Sequence, residues 1–166
     1  MAKSLLKENM AAEGFVPDTK DIAILALLQE NARMTVKEIS EKIHLSTTPV
    51  HERIKRMETE GVIKQYATLV DPGKVKRGLM VICYVSLKEH SKNAGVKFIK
   101  TINGLNEVVE CYNISGEFDF MLKVVAENMD AYYDFHVNKL SPIENMGHVQ
   151  SVFVMGIIKQ THRLVY

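Results

Sequence analysis

The stretch Thr35–Gly61, TVKEISEKIHLSTTPVHERIKRMETEG, does most to restrict what this chain can become. It reads as two short helices separated by a three-residue turn. Thr35-Val-Lys-Glu38 is a capping box, in which the Thr35 hydroxyl accepts from the Glu38 N–H and Glu38 reaches back. Val36, Ile39 and Ile43 recur at helical spacing and define one apolar face. His44-Leu45-Ser46 breaks that pattern, and Ser46 is suited to cap a second helix. Pro49 is acceptable there because first-turn N–H groups have no intrahelical partner. Val50, Ile54 and Met57 then point inward, leaving Thr47, Thr48, His51 and Lys55 outward. A helix-turn-helix lays its second helix in the major groove of DNA, with its N-terminal residues at base edges. Short hydroxyl side chains suit that close approach, and cations further along suit phosphates. An ordinary helical bundle with a solvated polar face shows the same pattern, so these residues alone leave both readings open.

Charge does not separate them. Residues 1–78 carry thirteen Lys/Arg against eleven Asp/Glu, and the whole chain of 166 residues nets only +1. A monomer gripping DNA by itself shows a stronger basic footprint, so a DNA-binding version of this chain is expected to multiply weak half-sites by oligomerising. With 46% hydrophobic residues and both charge signs mixed, the composition is that of a globular protein with real cores. No run is long enough for a membrane span, and Leu5-Leu6 is too short an apolar stretch for a signal peptide. A cytoplasmic location is therefore expected, with Cys83 and Cys111 as buried, reduced thiols in apolar strands. No zinc-spaced Cys/His cluster, phosphate loop or nucleophile elbow occurs; no cofactor or metal is expected.

Along the chain, residues 1–17 read as an arm. Asp18, with Asp21 three residues on, caps a first helix whose apolar face is Ile22, Ile24, Leu25, Leu27 and Leu28. Gly61 fits the position that ends the third helix. Val62–Val70 reads as a short wing or linking strand before the turn Asp71-Pro72-Gly73. Lys74, Lys76 and Arg77 form either a phosphate contact or a solvated linker. From Leu79 the order becomes β-α-β-β-α-β, with strands at Leu79–Leu87, Glu107–Asn113, Phe118–Ala126 and Val149–Ile158. The helices fall near Asn93–Ile102, with Val96 and Ile99 inward, and Asn128–Leu140, with Met129, Tyr132, Tyr133, His136 and Leu140 inward. This is the ferredoxin-like order, with the first strand central and the second at an edge. The expected fold class is α+β: an N-terminal winged helix-turn-helix over 18–66, a hinge strand over 67–78, a ferredoxin-like antiparallel unit over 79–159, and a tail over 160–166. A sheet with helices on one face should alternate apolar and polar residues. Yet Leu79–Val85 and Val152–Ile158 are nearly continuously apolar. The second face therefore needs cover, and a second copy of the chain is its simplest source.

Taken together, the chain resembles the leucine-responsive/asparagine-regulator (Lrp/AsnC, feast/famine) family from Pro17 onward. The first half rests on Asp18-x-x-Asp21-x-x-Ile24-Leu25-x-Leu27, Asn31-Ala-Arg33, Leu45-Ser46, Arg53-Ile54-x-Arg56-Met57-Glu58-x-Glu60-Gly61-Val62-Ile63 and Tyr66. The second rests on Ser115-Gly116-Glu117-Phe118-Asp119-Phe120 and Val154-Met155-x-x-Ile158-Lys159. The resemblance implies a transcription factor that binds double-stranded DNA through its first domain. It implies a second domain, called RAM, that builds dimers into octamers and binds an amino-acid effector between dimers. DNA contacts then fall to Ser46, Thr47, Thr48, His51, Arg53, Lys55 and Arg56, with Arg53 either structural or phosphate-gripping.

The effector site falls to Ser115, Gly116, Glu117, Phe118 and Asp119, joined by Ser151. Gly116 allows positive φ and a close backbone approach to a carboxylate, and Asp119 or Glu117 could answer an ammonium group. A plain hairpin turn and a solvated strand charge are the alternatives at Gly116 and Asp119. Departures from the family are His44, where Gly is usual, and Gly156, where an acid is common. A rival from another class is the tetrapyrrole decarboxylase built on the same architecture, for which His90, His136 and His148 are the candidate residues. His136 is otherwise expected as a core histidine with a satisfied ring nitrogen.

Overall fold

The computed structural model describes residues 15–89 and 91–165, so most of the N-terminal arm and His90 lie outside the described residues. The chain divides into two compact units, one running to Leu69 and resuming at Lys159, the other spanning Val70–Ile158.

The first unit holds three helices, α1 (Thr19–Glu30), α2 (Val36–Ile43) and α3 (Thr47–Thr59). Local rules place each boundary. Asp18 accepts from the backbone of Lys20 and Asp21, and the Asp21 carboxylate accepts in return from Asp18 N–H, a complete capping box. Thr35 and Glu38 form the second one. His44 ends α2 in the left-handed region at φ 55°, a conformation that histidine tolerates better than most residues. Ser46 has N-cap backbone angles, but its hydroxyl makes no capping bond, contrary to the sequence expectation. The core of the unit is Ile24, Leu25, Ile39, Ile43, Val50 and Met57.

Between Gly61 and Gly78 no strand pairs within the chain. The wing expected at Val62–Val70 has no neighbour here to complete a ladder, and the hinge expected as a strand contains a single 3-10 turn, Pro72–Val75. That turn is nucleated by Asp71, whose carboxylate accepts from Gly73 N–H at 2.9 Å.

The second unit is a four-stranded antiparallel sheet, β1 (Leu79–Leu87), β2 (Val108–Asn113), β3 (Phe120–Ala126) and β4 (Met146–Phe153), in the order β2-β3-β1-β4. β1 is central and β2 is an edge, so Leu122 of β3 pairs with both Cys83 and Cys111 and separates the thiols. Both are free; Cys83 is buried, but Cys111, expected buried, is exposed on the edge strand. Helices α4 (Lys92–Ile102) and α5 (Met129–Phe135) cover one face. Phe98 and Ile102 of α4 enter the core, and Val96 faces out at 37% exposure. Along α5 it is Tyr132 and Phe135 that are buried, while Met129 and Tyr133 are exposed. α5 runs on as a π-turn, His136–Leu140, closed by Ser141 N–H to the His136 carbonyl at 2.9 Å. The extra residue in that turn keeps Leu140 on the core side, five positions after Phe135.

β4 starts and stops earlier than the apolar run suggests. Its last rung is Val154 N–H to the Met80 carbonyl, and the pairing does not continue from Met155 to Leu79. The run's remaining members stay uncovered, Met155 and Ile158 at 99% exposure. Gly147 opens β4 where it crosses a bulge in β1 between Val85 and Leu87. A Cβ at Gly147 would stand 2.7 Å from the Ser86 carbonyl oxygen, so only glycine fits. The second face of the sheet, built from Met80, Ile82, Tyr84, Met121 and Val125, is half-buried, and among the described residues of this unit no helix packs on it.

Candidate DNA-reading and effector surfaces

In α3, Val50 and Met57 are fully buried and Ile54 packs against the same core. That phase leaves Ser46, Thr47, Thr48, His51, Lys55 and Arg56 exposed, with Arg53 between. The outward face at the N-terminal end therefore carries hydroxyls, an imidazole and one lysine that are not consumed by packing.

The two arginines are held from behind. Asp21 is completely buried, and its two oxygens accept from Arg53 Nη1 at 2.7 Å and Arg56 Nη2 at 3.0 Å as well as from Asp18 N–H. Arg53 Nη1 also reaches Asp18 at 2.7 Å. The Asp21 N–H and the Arg53 guanidinium hold the Asp18 carboxyl below its ordinary value, and the Asp18 and Asp21 carboxylates raise Arg53 in turn. The other face of the Arg56 guanidinium lies 4.4 Å from the ring centre of Phe15. Lys20 Nζ, from α1, donates to the last carbonyl of α2, at Ile43, where a cation meets the negative end of the helix dipole. Charge thus fixes α3 against α1, an arrangement that helical spacing alone did not reveal. Just beyond α3, Tyr66 donates to Glu58 at 2.8 Å, and partial burial beside that carboxylate pushes its hydroxyl up to about 12.

In the second unit the turn Ser115–Asp119 joins β2 to β3. Gly116 sits at φ 123° with open space where a Cβ would be, so backbone angle rather than crowding calls for glycine. Ser115 and Glu117 are exposed, and Phe118 and Asp119 half-buried. The Asp119 carboxylate accepts from Leu87 N–H at 2.8 Å, and its backbone N–H donates to Val85, so it braces the bulge of β1. Phe118 lies between Tyr84 at 5.5 Å and His148 at 5.9 Å, an aromatic row on the uncovered face of the sheet.

Ser151 does not join this group. Its hydroxyl accepts from Tyr132 at 2.5 Å on the helix-covered face, and Tyr132 also lies 3.3 Å from Cys83 Sγ. Burial raises both the Cys83 thiol and the Tyr132 hydroxyl. His136 lies near Tyr132 on that face; its Nε2 is 3.4 Å from Ser141 Oγ, the one satisfied ring nitrogen expected, while Nδ1 is buried without a hydrogen-bond partner among the described residues. His148 is on the opposite face, so these two histidines do not converge.

A helix-turn-helix with a free outer face, followed by a one-face-covered α+β sheet with a glycine turn at its rim, is the plan of a ligand-responsive DNA-binding regulator. The comparisons agree. Residues 17–64 match the winged helix-turn-helix DNA-binding model, and residues 80–164 match the Lrp/AsnC ligand binding domain. The chain belongs to the Lrp/AsnC family of DNA-binding transcriptional regulators. It is 34% identical to the leucine-responsive regulatory protein of Haemophilus influenzae over 148 residues, 89% of each chain. A transcriptional regulator of Neisseria meningitidis, solved as a complex with L-methionine, superposes with a TM-score of 0.86 at 35% identity, covering 90% of this chain and 97% of its own. An AsnC family regulator of Agrobacterium tumefaciens gives 0.85 at 36% over the same shares. Among the described residues no helix is long and apolar enough to cross a membrane.

Proposed function

We propose that the exposed N-terminal half of α3 reads operator DNA and that an amino acid bound in the second unit changes DNA affinity or assembly. The carrying observation is the division of labour on α3. Ser46, Thr47, Thr48, His51 and Lys55 are exposed and aimed outward, while Arg53 is spent on Asp18 and Asp21. Thr48 and His51 meet base edges, Lys55 and the half-exposed Arg56 meet phosphates, and Arg53 is a strut. The effector sits at Ser115–Asp119, its carboxylate on the backbone around Gly116 and its ammonium group on Glu117 or Asp119. The row Tyr84–Phe118–His148 gives its side chain an apolar wall. The methionine complex of the Neisseria relative supports an amino acid as the ligand class. A second copy covers the open sheet face, giving a homodimer with paired reading helices, and dimers assemble into an octamer. The matched relatives are regulators, and no observation favours the decarboxylase reading.

The test is fluorescence anisotropy of the protein on its own upstream DNA, with and without a mixture of the twenty amino acids. Saturable binding that survives random competitor and shifts with the mixture is expected. Thr48→Ala and His51→Ala should lose affinity for operator more than for random DNA. Equal loss on both, or binding never tighter than to random sequence, overturns the base-reading assignment.

A further inference from the structure

The last residues of the chain belong to the DNA-binding unit and not to the sheet they have just left. The Gln29 carboxamide, on α1, clasps the backbone of Leu164 from both sides. Nε2 donates to the Leu164 carbonyl at 3.2 Å, and Leu164 N–H donates to Oε1 at 2.6 Å. Two such bonds are what one residue of an antiparallel pair makes with its partner, here supplied by a side chain 135 positions away. Thr161 Oγ1 accepts from Arg163 N–H at 3.1 Å just before the clasp. The Leu164 side chain is 66% exposed, so this anchorage is polar and not made by apolar burial. Bonds of that kind exchange readily with water and contribute little net stability each, which suits a contact that opens and closes.

The chain therefore crosses between the units twice, forward after Leu69 and back after Ile158. The return segment starts at the end of β4, carries the fully exposed Met155 and Ile158, and ends in the clasp. From Phe153 to Leu164 it spans at most about 37 Å when extended.

We propose that Gln29 is the catch of a C-terminal strap, which when closed gives the DNA-binding unit a second tether to the effector unit, fastened by hydrogen bonds. Closed, the strap narrows the positions the reading helix takes; open, it leaves a single tether. Effector occupancy shifts the balance between the two because the ligand binds one of them better. Narrowing matters because two helices that must fit half-sites about one turn of DNA apart lose affinity with every position they can wander to. The coupling half of this inference rests on the reading of the protein as an effector-responsive regulator; the catch itself does not.

Limited trypsin digestion of the full chain tests the catch. The Arg163–Leu164 bond lies at the clasped residue, and Lys64–Gln65, in the unpaired segment after α3, serves as the internal reference. Gln29→Ala, which keeps a good helix former, should raise cleavage at Arg163–Leu164 relative to the reference by fivefold or more. Gln29→Glu, which keeps the acceptor and loses the donor, should fall between. An unchanged ratio overturns the catch. Anisotropy on upstream DNA, with and without the twenty-amino-acid mixture, tests the coupling. Gln29→Ala and Leu164→Pro, which removes the donor N–H, should each lose most of the amino-acid-dependent shift, and the double variant should lose no more than either. A full shift in the variants overturns the coupling even where the protease site has opened. A wild-type protein without any shift removes the functional reading and the coupling together, and the digestion still decides the catch.

Discussion

Six buried apolar residues make the core of the DNA-binding unit, whereas fifteen close the inner face of the sheet in the effector unit. The buried polar side chains run the other way: among the described residues Asp21 and Ser40 are the buried polar ones, and both belong to the DNA-binding unit. Three short helices bury too little apolar surface to fix their own crossing angles, so a carboxylate between two arginines fixes them. The sheet has the opposite difficulty. It has more apolar surface than its two helices can cover, and the excess is left as an unfinished face and an uncovered run after β4. One unit is completed by charge from within, and the other leaves apolar surface open.

The largest effect that follows is in the effector unit. Phe98 is 1% exposed and lies 4.5 Å from the ring of Phe120. Phe98→Ala should cost about 4 kcal/mol by lost transfer energy and cavity formation. The loss should appear in the transition of that unit alone. The chain has no tryptophan, and of its described tyrosines only Tyr66 lies outside Val70–Ile158, so tyrosine emission follows this unit during urea unfolding. A variant whose tyrosine midpoint stays at the wild-type value would show that the core is not where the stability resides.

Asp21→Ala should come next. Removing one member of a fully buried ion pair costs about 3–5 kcal/mol. Here the arginine side chains are 26% and 47% exposed, and Asp18 still holds Arg53, so about 2 kcal/mol is expected in the helical transition of the DNA-binding unit. Operator binding should weaken with it, since α3 loses its brace. Unchanged helix stability together with unchanged operator affinity would break the contrast between a charge-fixed and an apolar-fixed unit.

That brace also marks where the sequence stopped being readable. Caps obey rules within four residues, so Asp18–Asp21, Thr35–Glu38 and the left-handed His44 were legible. So was the outward set on α3, because its phase follows from Val50, Ile54 and Met57. β1 was found residue for residue because its apolar run is bounded by glycine and a charged pair. Phe98 shares helical spacing with Gly95, Ile99 and Ile102, but Val96 competes with it to set the phase, so spacing alone does not choose the buried face. Phe135 and Leu140 share a face only through the π-turn, which leaves no signature in spacing. The roles of Arg53, Ser151 and Gln29 depend on partners from distant elements, namely Asp21, Tyr132 and Leu164. β4 ends at Phe153 although its apolar run continues, so composition does not mark that stop.

Ile82 tests the other side of the contrast. It lies mid-strand on the uncovered face, half-buried and opposite Lys123. Ile82→Lys should leave the isolated fold nearly intact, within about 1 kcal/mol as for most surface substitutions, because no helix packs there. Sedimentation should nonetheless move from a dimer or larger species toward the monomer, since a second lysine on a buried seam is an unpaired charge. A variant that stays fully associated would mean that the second face is covered by something other than another copy of the sheet.

Acid should open a smaller difference, read most directly in the charge-fixed unit. The Asp18 carboxyl is held below its ordinary 3.8, first by the Asp21 N–H and then by Arg53. The Glu38 carboxyl is held below 4.5 by the Thr35 N–H and hydroxyl. In both, the folded chain keeps the ionised form to lower pH than the unfolded chain does, so the unfolded chain binds more protons across the interval. The stabilisation is thus complete above the ordinary values and fades as pH falls from about 5 through the lowered ones. Asn and Gln still cap helices at these positions but do not titrate. In Asp18→Asn with Glu38→Gln, the urea midpoint of the helical unit should therefore change less between pH 5 and pH 3 than in the wild type. An equally steep acid slope in the double variant would place the acid sensitivity in carboxylates other than Asp18 and Glu38.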